Sequence, residues 1–418
     1  MGHTRFINCW KCSHGNLDNS PLTINEDGMI IDNQSCDAGA EVVDLKDSII
    51  APGFIELQIN GALGFHFANY VDPTSYHDGV QKLSQYLPST GVTAFYPTVP
   101  TVRPDVFHNV LPFLRPSNSS TGASVLGAHV EGPFLTPSKK GAHNAGNLLV
   151  PETSTLEDVY GRNNLLNTIR IVTMAPELPG ALEHIQKLRE EYTISVSMGH
   201  SAATYEQGLK GTDAGASLLT HTFNAMNPLH HREPGLVGLI SSPKAGDRWK
   251  PSFSLIADSI HLHPSIVSMA YHASPQKAIL VTDSVELSGL PDGIYPGHSQ
   301  IPHPQLKVGN KVTIAGTETL VGTCIPLDQC VRNLMEWANI PIEKAVMTVT
   351  ENVAAPMGLV DRGDLGSGCR GDFVVMDKQG KCQPTDLVAF AILLVRGNGF
   401  VCDSNPPLVK ETLDGEKE

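Results

Sequence analysis

The chain has 418 residues, 41% hydrophobic and 17% charged, and its 29 basic against 43 acidic residues leave a formal net charge of −14. This excludes an intrinsically disordered chain and leaves ample sequence for one large domain or two with a buried core. The acidic balance also excludes nucleic acid or an anionic membrane face as the main partner.

Residues 1–52 hold short β-like pieces at Arg5–Trp10, Leu22–Ile24, Met29–Ile31 and Glu41–Asp44, separated by Gly, Asn and Asp turns. The opening MGHTRFINCW lacks the apolar stretch of a signal peptide, and Phe6 stands where a myristoylation signal wants Ser or Thr. Cys9-Trp-Lys-Cys12 is the one CxxC among eight scattered cysteines, so packing is expected there, in a reducing, cytoplasmic setting.

Residues 53–355 alternate short apolar runs with longer mixed segments. The runs are Phe54–Ile59, Val92–Tyr96, Val125–Val130, Ile169–Met174, Ile194–Met198, Ser217–Thr220, Phe253–Ala257 and Ile279–Thr282. Rich in Val and Ile, they read as buried parallel strands. Leu182–Glu191 and Ser265–Ala273 carry helical spacing, and a short helix fits at Thr204–Gly211. Strands alternating with helices predict an α/β fold, a (β/α)8 barrel of the TIM type. Pro326–Trp337 follows as a closing helix with Leu327, Cys330, Val331, Leu334 and Met335 on one face, and the Gly/Pro-rich Leu287–His303 reads as a lid.

Residues 356–418 return to strand texture in Phe373–Asp377 and Ala389–Val395, then end in a polar tail, Glu411–Glu418. Neither end can bury a core alone, so a small β-sandwich built from residues 1–52 and 356–418 is predicted beside the barrel. The longest apolar run, Leu387–Val395, is about half of a bilayer span, and no membrane partner is expected.

Functional side chains of such a barrel stand at the C-terminal ends of its strands. The first run ends Gln58-Ile59-Asn60, the third at Glu131 in AHVEGPF and the fifth at His200 in SMGHS. The sixth ends at His221 in LLTHTFNAM and the eighth at Asp283 in LVTDS. Two imidazoles and a carboxylate form a hydrolytic metal set that leaves one position open for water. Asp283 is then left over as general base. Taken singly, a strand-end histidine reads as structure and Asp283 as an N-cap; four such residues on the right strand ends outweigh both readings.

Seven motifs together carry a resemblance: APGFIELQING, GAHVEGPF with KKGAHN, MAPE, VSMGHSAA, THTFNAMNPLHHREPG, IADSIHLH and LVTDS. From about Asp44 through Asp377 the chain resembles the amidohydrolase superfamily and, within it, the N-acetylglucosamine-6-phosphate deacetylases. The resemblance implies a metal-dependent barrel with a β-sandwich made from both termini, acting on a small amino-sugar phosphate as a homodimer. Many amidohydrolases carry His-x-His on strand one and hold two metals. Here Gln58-x-Asn60 offers only neutral amides, and Thr173-Met174-Ala175 has no bridging lysine. One divalent ion per subunit is therefore expected on Glu131, His200 and His221, zinc first, with iron, cobalt, manganese or magnesium as alternatives.

In the implied reaction Asp283 takes the proton of the attacking water, His143 assists at the oxyanion, and Asp283 returns the proton to the amine. Carried over from the matching motifs, Ala142, His143, Asn224, Ala225 and Arg232 line the sugar phosphate. Asp258, Ser259, Ile260 and His261 follow from the matching segment after run seven, and Leu320, Val321 and Gly322 from the substrate loop. Leu320-Val321-Gly322-Thr323 stands where Leu-Ser-Gly-Ser is frequent, and Ser259 replaces a frequent Gly. Two rivals are weighed against this: another amidohydrolase, acting on a cyclic amide or a related N-acyl sugar, and a catalytically silent barrel serving as a scaffold.

Overall fold

The computed structural model describes residues 3–33, 39–119, 121–242, 250–298, 301–377 and 380–382. The first barrel strand, Phe54–Ile59, is buried along its whole length, as a strand covered on both faces must be. It pairs in parallel with the second, Val92–Pro100. The remaining strands follow in sequence: Ala128–Glu131, Ile169–Met174, Ser195–Met198, Leu218–Leu219, Ser252–Leu255 and Ala278–Leu280, each parallel to the one before. The eighth strand meets the first just past its end. There Ile59 bridges Ser284, the Asp283 N–H donates to the Gln58 carbonyl at 2.9 Å, and the Asn60 N–H to the Ser284 carbonyl at 2.7 Å.

The period-two alternation of a strand sorts the apolar residues into two layers. Ile55, Leu57, Tyr96, Ile171, Leu218, Ile256, Ile279 and Val281 fill the interior. Their neighbours Phe95, Val172, Leu219, Leu255 and Leu280 pack outward with helix residues such as Leu83, Ile185, Leu188 and Val267. Helices form where local signals agree. Thr204 and Gln207 make a capping box at the start of Tyr205–Asp213. Leu327–Ala338 buries Leu327, Cys330, Val331 and Leu334, and stops at Asn339 in the left-handed region.

Two expectations change. The run Val125–Val130 is two strands, Ser124–Val125 and Ala128–Glu131, because Gly127 takes φ +114, a conformation that breaks the ladder. The segment expected as a lid instead begins a four-stranded antiparallel sheet, Gly293–Tyr295, Gln305–Val308, Lys311–Ile314 and Leu320–Thr323. Its small core is Val285, Leu287, Val312 and Cys324.

The chain ends meet in another sheet. Glu41–Pro52 lies parallel to Thr4–Ser13 and antiparallel to Phe373–Met376. Phe6 and Phe373, from opposite ends of the sequence, touch edge to face at 5.0 Å in a core with Leu22, Ile24 and Ile50. Cys9 and Cys12 are buried and unbridged, and burial pushes the Cys12 thiol up to about 12. Ala389–Val395 and Glu411–Glu418 lie outside the described residues.

Glu56, on the first strand, is a buried carboxyl facing away from the barrel interior. It accepts from the backbone N–H of Gln58 at 3.1 Å and of Thr282 at 3.3 Å. Burial outweighs these bonds and raises its pKa to about 8. A raised folded-state pKa favours the protonated fold, so the contribution is full below the unfolded value near 4.5 and is lost as pH rises through about 8. Thermal unfolding of Glu56→Gln should therefore match the parent at pH 5 and exceed it by several degrees at pH 9. An equal effect at both pH values would show that Glu56 does not titrate in this range.

Candidate active site

Four strand ends deliver their side chains to one cavity, which Glu131, His200, His221 and Asp283 all line. Glu131 sits inside the barrel because His129 and Glu131 alternate with the outward Val130. His200, His221 and Asp283 follow their strands with φ of +48, +29 and +50. For residues other than glycine this is strained backbone, of the kind that concentrates at functional sites.

The Nε2 atoms of His200 and His221 stand 3.2 and 3.0 Å from Glu131 Oε1 and 3.1 Å from each other. His200 Nδ1 lies 2.8 Å from the Lys139 carbonyl, which can only accept, so the ring proton is on Nδ1 and the Nε2 lone pair faces the carboxylate. A lone pair aimed at a carboxylate oxygen is repelled unless a cation joins them. The residues thus fit a metal ion, and the backbone carbonyl behind His200 supplies the orienting contact such ligands use. Burial alone would raise Glu131, but the two imidazoles beside it outweigh burial and hold it well below the usual carboxylate range. His221, lowered by burial, is carried up to about 8 by Glu131.

Gln58 and Asn60 take the place where a second ion would need ligands. Gln58 Nε2 donates to Glu131 Oε1 at 3.0 Å and to Asp283 Oδ1 at 3.2 Å, while Asn60 Nδ2 donates to Asp283 Oδ1 at 2.7 Å. Two amides therefore orient one carboxylate oxygen of Asp283. Burial, then the charge of Glu131, raises the Asp283 carboxyl to about 6, in the range useful for a general base near neutrality.

Ala142, His143, Asn224, Ala225, His261, Leu320 and Val321 line the same cavity. Asn224 is tied to the His221 carbonyl through Nδ2 at 3.2 Å. Asp258 lies behind His261, accepting its Nδ1–H at 2.7 Å and the backbone N–H groups of Ile260 and His261 at 2.9 and 2.8 Å. Ser259 is exposed at φ +63 and Ile260 is half-buried. Gly322 is buried against Val285 and the Asp283 carbonyl, behind the wall. Arg232 stands outside the cavity wall, exposed to solvent, with its own N–H on His230 Nδ1 at 3.3 Å.

Two supporting residues escaped the sequence reading. His129, two positions before Glu131, bonds Thr173 Oγ1 at 2.8 Å, which meets Thr220 Oγ1 at 2.8 Å, a polar layer beneath the ligands. The same alternation that points Glu131 inward could have found it. Glu177, in the MAPE turn, accepts from Thr136 Oγ1 at 2.5 Å, Ser201 Oγ at 2.6 Å and Ala202 N at 2.6 Å. It clamps together the loops that follow the third and fifth strands, the latter carrying His200.

The barrel and this rim have the fold of an amidohydrolase. Enamidase, an amidohydrolase-superfamily member, aligns with a TM-score of 0.54 at 14% identity, over 90% of this chain and 87% of its own. No family model matches the sequence. The chain belongs to the N-acetylglucosamine-6-phosphate deacetylase family: the Caenorhabditis elegans enzyme of that name is 38% identical over 387 residues, 90% of each chain. The Danio rerio enzyme is 35% identical, over 90% of this chain and 93% of its own. An N-acetylgalactosamine-6-phosphate deacetylase of Escherichia coli O157:H7 is 31% identical, over 80% and 85%. A mutant of the Mycobacterium smegmatis N-acetyl-D-glucosamine-6-phosphate deacetylase, in complex with N-acetyl-D-glucosamine-6-phosphate, aligns at a TM-score of 0.77 and 26% identity, over 91% of this chain and 97% of that one.

Proposed function

We propose that the chain hydrolyses N-acetyl-D-glucosamine 6-phosphate to D-glucosamine 6-phosphate and acetate. The convergence of Glu131, His200, His221 and Asp283 on one cavity carries this reading, and the deacetylase relatives support the substrate. A divalent ion on Glu131, His200 and His221, zinc by the match of two imidazoles and a carboxylate, supplies Lewis-acid polarisation of the acetamide carbonyl and eases ionisation of water.

The rest is chemistry of the chain itself. Asp283, oriented by Gln58 and Asn60, accepts the water proton and returns it to the departing amine. His143 accepts the Thr101 N–H at Nδ1, 3.3 Å away, which leaves its proton on Nε2 to donate to the carbonyl oxygen as charge builds there. Burial, then His200, lowers His143 to about 3, so it acts as a neutral donor. Asp258 fixes His261 through Nδ1 and leaves its Nε2 edge for the sugar.

Phosphate recognition is the place for Arg232, whose planar fork suits that group. Because Arg232 lies away from its own cavity, we assign it to the substrate of the neighbouring protomer in a cytoplasmic homodimer. Arg232→Glu should raise KM for the phosphorylated sugar at least about tenfold and leave unphosphorylated N-acetylglucosamine nearly unchanged. Mixing Arg232→Glu with Asp283→Asn chains should restore activity if the arginine works across the dimer; no restoration would place it in its own site.

The function is tested by acetate release after metal stripping and reconstitution with zinc. The highest kcat/KM is expected for N-acetylglucosamine 6-phosphate. Faster turnover of the galactosamine isomer would reassign the sugar, and preference for a cyclic ureide would overturn the linear-amide reading. Bound metal with no turnover of any of them would favour the scaffold.

A further inference from the structure

At the same cavity, through His66, a second cluster gathers side chains that the reaction does not use. His66, from the short ribbon after the first strand, lines the cavity and is 2% exposed. Glu286 follows the eighth strand, and His298 lies between the first two strands of the four-stranded sheet. One potential ligand atom from each lies within 4.8 Å of the others, and the His66 and His298 rings are 4.7 Å apart.

We propose that His66, Glu286 and His298 form a second site, for a divalent transition-metal ion, which pins the 286–298 segment to the substrate cavity. Three observations support it. His298 Nε2 is 3.5 Å from Glu286 Oε1, a separation two donors adopt around one tetrahedral ion. Gln305 Nε2 holds Glu286 Oε1 at 2.7 Å, yet Glu286 Oε2 and Gln305 Oε1 are buried without a hydrogen-bond partner among the described residues. Two buried acceptors left over beside two imidazoles is an arrangement that a cation resolves and a further acceptor would worsen. Burial, then His298 and His143, holds His66 well below the usual histidine range, and burial lowers His298, so both rings offer neutral nitrogens.

The Ala68 N–H donates to His66 Nδ1 at 3.0 Å, so without an ion the ring proton is on Nε2. Ligation through Nε2 moves that proton to Nδ1 and gives up this one neutral hydrogen bond, a small cost beside a metal–imidazole bond. Geometry also separates this cluster from His14, Glu351 and Asp364. That group is a surface arrangement whose contacts are ordinary 3.6 Å ion pairs around an exposed histidine.

The test counts ions and does not depend on turnover. Chelator-stripped full-length protein is titrated with Co2+ by calorimetry, and bound cobalt is counted by elemental analysis after gel filtration. The parent should retain two ions per chain, and Glu286→Gln and His298→Ala one each, with acetate release preserved at saturating substrate. Glu131→Gln should also retain one ion, with release abolished. His298→Ala removes a side chain at the edge of the cluster and guards against a folding failure in Glu286→Gln. One ion in the parent, or two in both cluster variants, would overturn the site.

Discussion

Asp283→Asn should lower kcat by about three to four orders of magnitude while metal content at the Glu131 site stays close to that of the parent. The substitution keeps the shape, and the Gln58 and Asn60 amides can still donate to a carboxamide oxygen at that position. What it removes is the proton acceptor, on which both attack and departure of the amine depend. Metal analysis beside single-turnover acetate release decides the point. If metal is lost in parallel with activity, Asp283 is chiefly a ligand and the general-base assignment fails. In the parent the acidic limb of kcat/KM should fall below pH 6. The Asp283 carboxyl stands at about 6 without an ion, and a nearby dication favours its charged form further.

Glu131→Gln should do the opposite to the metal. The carboxylate is the one anion among the three convergent ligand side chains, and both imidazole Nε2 atoms face its Oε1. Replacing it with an amide should weaken metal binding by more than about 100-fold, beyond the loss typical of an outer-shell partner. Acetate release should fall to background at stoichiometric metal. His221, carried up to about 8 mainly by Glu131, should then titrate lower, because burial is then opposed chiefly by the charge of Asp283. Chemical shifts of the histidine ring protons followed against pH would show the change. Retention of tight metal binding would mean that Glu131 is not a ligand. The two substitutions thus separate a base from a ligand by one measurement of metal content.

The barrel strands were readable because a buried parallel strand needs both faces apolar, and the Val- and Ile-rich runs say so locally. The site was readable for a related reason. Glu131, His200, His221 and Asp283 each end or closely follow such a run, and the barrel places strand ends on one rim. Misreadings fell where no local period exists. Gly127 broke a run that looked continuous, and the four-stranded sheet begins in a Gly/Pro-rich stretch whose short strands are half-buried. Glu41–Asp44 proved to be the start of the longer Glu41–Pro52, whose exposed charged positions hid the strand.

Apolar periodicity and the residue after each run determined the barrel, the order of its strands and the four rim side chains. The local chain encodes burial, and burial is enough to fix those. The net negative charge also excluded polyanions, and that exclusion leaves a single phosphate to be met by local groups. Only the tertiary structure decided which atoms meet. It joined Gln58 to both Glu131 and Asp283, set Arg232 outside its own cavity, and brought His66, Glu286 and His298 together. These contacts link positions far apart in sequence, and each depends on rotamers and packing that no local pattern specifies.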